Sequence, residues 1–270
     1  MAALPRAWKR RLREVWRSAG WPFQDMLEAE LLAAGLLERR SDAQGLETLR
    51  LSDAGVRALA GALEQNRRAL DAHEALVARV ALEMRRAGRI VWRGLTLRAG
   101  LEAPANAQAP ATATAPAIEA VAAMAATRRW ALARPDVYSI RHTTREDAVE
   151  PVVHEIKVTR ADLLSDLRHA DKRAAYVALS SQCWYVLREG IAEPAEIPPE
   201  FGVLVAPVSA PETPAEAADA GAGAGAEPLR LLRAAPRRAH RLGLGTWMAL
   251  ARATPDGGAD DDMAAGQASL

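Results

Sequence analysis

The stretch 134–187, RPDVYSIRHTTREDAVEPVVHEIKVTRADLLSDLRHADKRAAYVALSSQCWYVL, contains the elements that decide the predicted fold. The apolar-rich segments 134–140 and 151–158 are typical of β-strands, and the polar residues 142–150 between them predict a hairpin turn. Residues 159–179 predict one helix, and the stretch ends in a buried strand. The order strand, strand, helix, strand predicts an α/β domain.

Three charged residues lie at the ends of the two predicted strands. Glu155 and Lys157 are two positions apart, so their side chains share one face of the second strand. If the strands pair around the turn, Asp136 at the start of the first strand comes close to Glu155. Charge is unusual in a strand rich in valine and isoleucine. Two neighbouring carboxylates become favourable when a divalent cation offsets their charge.

The chemistry of these residues predicts a site for Mg2+ (or Mn2+). The carboxylates of Asp136 and Glu155, with the backbone carbonyl of Ile156 between the ligands, would supply half of an octahedron of oxygen ligands. Such a cation lowers the pKa of a bound water and neutralises charge on a phosphate. Lys157 would orient that water or stabilise the developing charge. We therefore expect hydrolysis of phosphodiester bonds.

Pro135-Asp136, followed nineteen positions later by Glu155-Ile156-Lys157, resembles the signature of the PD-(D/E)xK nuclease superfamily. The run from 154 to 187 is more specifically similar to the MmcB-like DNA repair proteins. In that family an E-(I/L)-K strand precedes a helix carrying D-x-x-x-D, then a Lys and a Tyr, then a strand that starts near a Cys. The corresponding residues here are Asp162, Asp166, Lys172, Tyr176 and Cys183.

The resemblance covers about residues 70–206. It implies an α/β, restriction-endonuclease-like core with a small mixed β-sheet flanked by helices. It also implies a Mg2+-dependent deoxyribonuclease, acting in DNA repair or in the processing of mobile-element and phage-related DNA.

Members of this fold usually place one more acidic residue on the first core helix. Glu74 is the candidate, because the helix that contains it directly precedes the first strand. Glu119 is the alternative, since it lies on a predicted helix nearer to Asp136. Lys172 is predicted to hold a DNA phosphate near the metal.

Several neighbouring residues are expected to be structural. His73 begins an apolar-leaning helical stripe that continues through Val77. His154 adjoins Glu155 but points to the opposite face of its strand. Thr159 and Asp162 have the spacing of a helix cap, and Cys183 is expected in the core. The buried stripe predicted for the helix at 159–179 consists of Leu163, Leu167, Ala170, Ala174 and Val177.

The first 63 residues predict a separate domain. Two helices, a two-stranded hairpin and a helix that Ser52 caps follow one another, and this order resembles a winged helix-turn-helix. A basic face on the first helix, made by Lys9, Arg10, Arg11, Arg13 and Arg17, is suited to contact DNA phosphates. The expected partner is DNA, and a homodimer is possible because winged helices often dimerise.

Residues 64–207 form the predicted nuclease-like domain, with a flexible Ala/Pro-rich insertion at about 99–117. Residues 208–270 are expected to be a mostly disordered tail with a short basic helix through Leu231, Leu232 and Arg238.

The 270-residue chain has a formal net charge of +1 and one cysteine, which excludes an internal disulfide. It contains neither a signal-peptide pattern nor an apolar run of about 20 residues, so a cytoplasmic protein without a membrane span is expected. Two other functions remain open: a DNA-binding regulator whose nuclease fold has lost activity, and a hydrolase acting on nucleotides or RNA.

Overall fold

The computed structural model describes residues 4–102, 128–207 and 227–257, and the chain divides between Ala72 and His73 into two compact units. The first unit contains α1 (Arg6–Arg17), α2 (Met26–Ala33), β1 (Leu37–Ser41), β2 (Glu47–Leu51) and the first part of α3 (Asp53–Arg86). Its core is formed by apolar residues from all of these elements, among them Leu12, Leu31, Leu49 and Leu59.

Side-chain caps begin two helices of the first unit, and the cap expected at Ser52 is confirmed. Asp25 accepts a hydrogen bond from the Glu28 amide and so caps α2, and the Ser52 hydroxyl accepts one from the Gly55 amide at 3.0 Å at the start of α3. The predicted basic face of α1 needs one correction. Arg11 is buried and forms a bidentate ion pair with Asp25, so its guanidinium is held within the first unit.

The second unit is built on a mixed six-stranded sheet, which confirms the predicted α/β class. The strand order is β10-β9-β8-β7-β6-β3, with β7, β8 and β9 parallel and the other neighbours antiparallel. The strands are β3 (Arg89–Arg93), β6 (Val137–Arg141), β7 (Val152–Lys157), β8 (Gln182–Arg188), β9 (Gly202–Ala206) and β10 (Arg230–Arg233). The predicted β6–β7 hairpin forms, with a short 3-10 helix at Glu146–Ala148 in its connection.

Helices cover both faces of this sheet. The second part of α3 packs Val77 and Val80 against Val137 and Ile156 on one face. The other face carries a separate hairpin of β4 (Leu97–Glu102) and β5 (Arg128–Ala133), together with the helices that follow β7.

The segment 159–179 forms two helices rather than the single predicted one: α4 (Arg160–Asp166) and α5 (Ala170–Leu179). The break shifts the helical phase, so the predicted buried stripe is wrong in its second half. Ala170 and Ala174 are exposed, whereas Ala175, Tyr176 and Leu179 are buried.

The predicted insertion begins later than residue 99. Residues 99–102 continue β4, and the buried side chains of Ala99 and Leu101 join the core. Residues 103–117 and Glu119 lie outside the described residues.

The C-terminal region is also more ordered than the sequence predicts. Residues 230–233 form β10, not a helix, and they pair with β9, which would otherwise present an open sheet edge. Arg233 fixes this strand by donating to the carbonyls of Phe201, Pro194, Ile197 and Pro198. Arg238 lies after β10, and α6 (Leu244–Arg252) packs Leu250 into the main core. None of the described helices combines the length and apolarity needed to cross a membrane.

The docking of α6 can be tested with Leu250→Ala. The Leu250 side chain is 5% exposed, so its truncation should lower the free energy of unfolding by about 2–4 kcal/mol. Met248, on the same helix and 49% exposed, is the control, and Met248→Ala should cost less than about 1 kcal/mol. Equal losses in the two variants, measured by denaturant unfolding, would show that α6 is not part of the core.

Candidate active site

The hairpin register places Asp136 opposite Glu155. Val137 pairs with His154 and Tyr138 pairs with Val153, and one further step along this register matches Asp136 with Glu155. The Asp136 carboxylate turns toward β7, where its Oδ2 accepts a hydrogen bond from the Ile156 amide at 2.7 Å. The Asp136 carboxylate therefore lies next to the backbone of β7, and its charge acts on Glu155.

Glu155 is the most enclosed charged group of this site. Its side chain is 3% exposed, and Oε1 accepts hydrogen bonds from Lys157 Nζ at 2.8 Å and from Lys172 Nζ at 2.6 Å. Oε2 accepts a hydrogen bond from the Tyr176 hydroxyl at 2.8 Å. Burial raises the pKa of Glu155 and the charge of Asp136 raises it further, while Lys157 and Lys172 oppose the rise.

Lys157 remains an ammonium group although it is buried. Burial by itself would lower its pKa, but Glu155 and Asp166 more than compensate, and the pKa lies above its usual value of 10.5. The Lys157 ammonium is also 3.4 Å from Asp162 Oδ2 and 3.8 Å from Asp166 Oδ1. A lysine held in this way donates hydrogen bonds and stabilises negative charge, and it does not accept a proton near neutral pH.

Asp166 connects the two lysines to the strand behind them. Its Oδ1 accepts a hydrogen bond from Lys172 at 2.5 Å, and its Oδ2 accepts one from the Tyr185 hydroxyl at 2.6 Å. We call the group formed by Glu155, Lys157, Asp166, Lys172, Tyr176 and Tyr185 the Glu155 cluster. The sequence pattern does not predict Tyr185 as a member of this cluster, and its one signal is a hydroxyl among the apolar residues in the middle of β8.

Asp136 borders an open cavity of about 410 Å³, which is lined also by His73, Glu74, Arg93 and Arg134 and by no residue of the Glu155 cluster. Glu74 lies at its rim with 64% of its side chain exposed, and its Oε1 is 3.4 Å from His73 Nδ1. The other ring nitrogen of His73, Nε2, is 3.4 Å from Asp136 Oδ2. The hydrogen bond to Asp136 raises the pKa of His73 above its usual value.

The sequence pattern predicts a structural role for His73, but the structure places its ring beside Asp136 at the cavity. It lies on the stripe shared with Val77, as expected, but the beginning of that stripe faces Asp136 and the cavity. The helical spacing alone could have suggested this, because a polar residue at the end of an apolar stripe reaches the edge of the core.

Three neighbouring residues have structural surroundings. His154 is buried, and burial lowers its pKa to about 3, which keeps the ring neutral. Thr159 caps α4 by accepting a hydrogen bond from the Asp162 amide. Cys183 is buried in the core, and burial raises the pKa of its thiol.

The donor set is compatible with a hard divalent cation. Mg2+ usually takes only one or two carboxylates from a protein and completes its shell with water and phosphate, and Asp136 and Glu155 can supply those carboxylates. The Ile156 amide donates a hydrogen bond to Asp136, and the Ile156 carbonyl points to the same edge of β7 as that amide. Continuing the register places Pro135 opposite Ile156, and proline has no N–H to donate to that carbonyl. Within the described ranges, no three His, Cys, Asp or Glu residues are already gathered around one point.

No family model matches this chain, and no curated protein matches it. A solved structure with a similar chain is that of the SPO1766 protein of unknown function from Silicibacter pomeroyi, at 19% sequence identity. The match covers 65% of this chain and 79% of that chain with a TM-score of 0.34, which supports no inference about fold or function.

The electrostatics of the Glu155 cluster predict a pH-dependent stability difference. Burial tends to raise the pKa of Asp166, but Lys157, Lys172 and Tyr185 lower it below the usual 3.8. Ionised Asp166 therefore stabilises the fold above that value, and this contribution is lost as the pH falls through the lowered pKa. Asp166→Asn should lower the free energy of unfolding by about 3 kcal/mol near neutral pH.

The difference between wild type and Asp166→Asn should begin to shrink as the pH falls below about 4, and it should approach zero only below the lowered pKa of Asp166, where the wild-type carboxyl is also protonated. Thermal unfolding of both proteins across this pH range measures it. Asp162→Asn is the control, because Asp162 is 51% exposed and its loss should cost less than about 1 kcal/mol. A gap that stays constant with pH would contradict the assignment of Asp166 as an ionised partner.

Proposed function

We propose that this protein is a metal-dependent deoxyribonuclease of the PD-(D/E)xK type, similar to the MmcB-like DNA repair proteins. The observation that carries the proposal is the position of Glu155. It is a buried carboxylate on a central strand, with Asp136 immediately before the neighbouring strand β6 and Lys157 two residues further on the same face. The proposal includes a restriction-endonuclease-like fold for the α/β core.

The electrostatics of the site favour a bound cation over a purely structural ion-pair network. A structural network would not require a second carboxylate beside Glu155, since the charge of Asp136 adds to the cost of ionising it. A divalent cation placed between the two carboxylates would remove that cost. The cavity bordered by Asp136 would give a cation and a phosphate access to the Asp136 carboxylate.

Asp136, Glu155 and the Ile156 carbonyl would hold Mg2+ (or Mn2+). When bound, the cation lowers the pKa of a water and neutralises charge on the substrate phosphate. Lys157, fixed by Glu155 and permanently protonated, would orient the attacking water and stabilise negative charge. Lys172 bridges Glu155 and Asp166, so it positions the Glu155 carboxylate. A direct contact between Lys172 and DNA phosphate stays a prediction.

The N-terminal unit would deliver the enzyme to DNA. Its order of two helices, hairpin and helix is the order expected of a winged helix-turn-helix. The exposed arginines of α1, Arg6, Arg10, Arg13 and Arg17, are suited to contact the phosphate backbone without reading its sequence.

The nuclease proposal is tested by plasmid cleavage in the presence of Mg2+ or Mn2+. Wild type should nick or linearise DNA, and chelation of the metal should stop the reaction. Asp136→Asn and Lys157→Met should each lower the rate by at least about 100-fold, since each removes a charged group from the reacting centre. The control is Asp147→Asn, in the same β6–β7 connection but 70% exposed and paired with Arg145.

The alternatives give different results in the same experiment. A DNA-binding regulator would bind a specific sequence without cleavage, and neither metal nor Lys157→Met would change its affinity. Preferential cleavage of RNA would favour the hydrolase acting on RNA. Cleavage that persists in Asp136→Asn and Lys157→Met would place the reacting centre elsewhere.

A further inference from the structure

The outer face of the β4–β5 hairpin leaves a tryptophan open to solvent. Arg98 pairs with Leu132, and two residues along the ladder Gly100 pairs with Trp130. Paired positions project to one face of a hairpin, so these side chains lie together. Trp130 is 57% exposed and Leu132 is 72% exposed, whereas the opposite face of the hairpin packs into the main core. Two adjacent large apolar side chains exposed in this way indicate a surface that contacts a partner.

Helix α6 borders this face, and together they form an open depression of about 500 Å³. Trp130 and Leu132 line it from β5, Arg98 lines it from β4, and Ala249 and Arg252 line it from α6. None of the described residues that line it is acidic. The depression therefore combines an apolar surface with two cations.

The two arginines keep their charge available to a partner. The Arg98 guanidinium carbon lies 5.3 Å from the centre of the Trp130 ring, within the range of a cation–π contact. Arg252 Nε donates a hydrogen bond to the Met248 carbonyl at 3.1 Å. Among the side chains that the structure describes, neither guanidinium forms an ion pair with a carboxylate. An anionic partner can therefore bind both groups without displacing one of these carboxylates.

We infer that this hairpin face is a binding site for single-stranded nucleic acid, in which a base stacks on Trp130 and neighbouring phosphates contact Arg98 and Arg252. The inference concerns binding alone. It goes beyond the proposed nuclease function, because it requires neither a metal nor cleavage of the strand.

Single strands carry the two groups that this surface matches. Each nucleotide presents a flat base and a charged phosphate, and proteins bind single strands by stacking bases on aromatic rings beside a basic surface. In a duplex the bases stack on one another, so their faces do not reach a protein side chain. Gly100, opposite Trp130, adds no side chain to this face and leaves space for a base beside the ring.

The charges disfavour a second copy of this chain as the occupant. A two-fold symmetric contact places the same surface on both sides of an interface. Arg98 and Arg252 of one copy would then face the same arginines of the other copy, and like charges brought together cost free energy. A single strand of nucleic acid carries the opposite charge and has no such penalty.

The inference is tested by the fluorescence anisotropy of a labelled oligothymidine of about eight nucleotides, within the usual range of single-strand sites. The full chain is used with a chelator, so that no metal-dependent cleavage occurs. Trp130→Ala should weaken binding of this strand at least about fivefold, since it removes the stacking of one base. The affinity of Trp130→Ala for a duplex of the same length should change less than about twofold. Trp130→Phe, which keeps a ring, should recover most of the lost affinity.

Trp21→Ala is the matched control, because Trp21 is 58% exposed but lies in the first unit. This variant should change the single-strand affinity less than about twofold. An oligouridine of the same length is the RNA probe, and a preference above about tenfold for either probe would support the inference for that strand alone.

The dependence of binding on salt tests the phosphate contacts separately. Arg98→Ala and Arg252→Ala should each reduce the slope of log affinity against log salt concentration by about 0.7, since each removes one phosphate contact from a single strand. Trp130→Ala should leave the slope unchanged, because it removes no charge. The control is Arg86→Ala, which removes an exposed arginine at the end of α3 in the same unit and should change neither slope nor affinity.

The inference is overturned if wild type binds neither single strand, if Trp130→Ala and Trp21→Ala lose equal affinity, or if Trp130→Ala loses as much affinity for the duplex. A dimer that dissociates in Trp130→Ala while single-strand binding persists would identify a second copy as the occupant and would overturn it as well. The nuclease proposal fails independently. Trp130-dependent binding without any cleavage retains the inference and removes that function, whereas cleavage without Trp130-dependent binding does the reverse.

Discussion

The arrangement of the second unit depends on supplying hydrogen-bond partners to the Glu155 carboxyl group within the protein. An ionised carboxylate removed from water is strongly unfavourable unless other groups replace its hydration. Lys157, Lys172 and the Tyr176 hydroxyl provide three hydrogen bonds to it. These donors come from the strand of Glu155 and from α5, so the requirement fixes how the helix lies on the sheet.

The break between α4 and α5 follows from the same requirement. Asp166 at the end of α4 and Lys172 in the first half of α5 both reach the Glu155 cluster. The interruption at residues 167–169 changes the helical phase of α5. Tyr176 is therefore buried, and its hydroxyl reaches Glu155. A continuous helix would instead bury Ala170 and Ala174, as the unbroken apolar pattern predicts.

Local sequence signals predict part of this structure, and contacts between residues distant in sequence decide the rest. The β6–β7 hairpin could be predicted, because side-chain alternation and a polar turn are local signals. The helix break, the strand at Arg230–Arg233 and the role of His73 could not, since each depends on a partner distant in sequence. RLLR is too short for its pattern to distinguish strand from helix, and pairing with β9 decides the outcome.

The β4–β5 hairpin precedes Asp136 in the chain and forms a two-stranded sheet of its own. Leu97 pairs with Ala133 and Glu102 pairs with Arg128, so the base of the hairpin is held by its own ladder. This ladder is separate from the hydrogen bonds of the six-stranded sheet, so the hairpin sets its own register before the chain reaches Asp136.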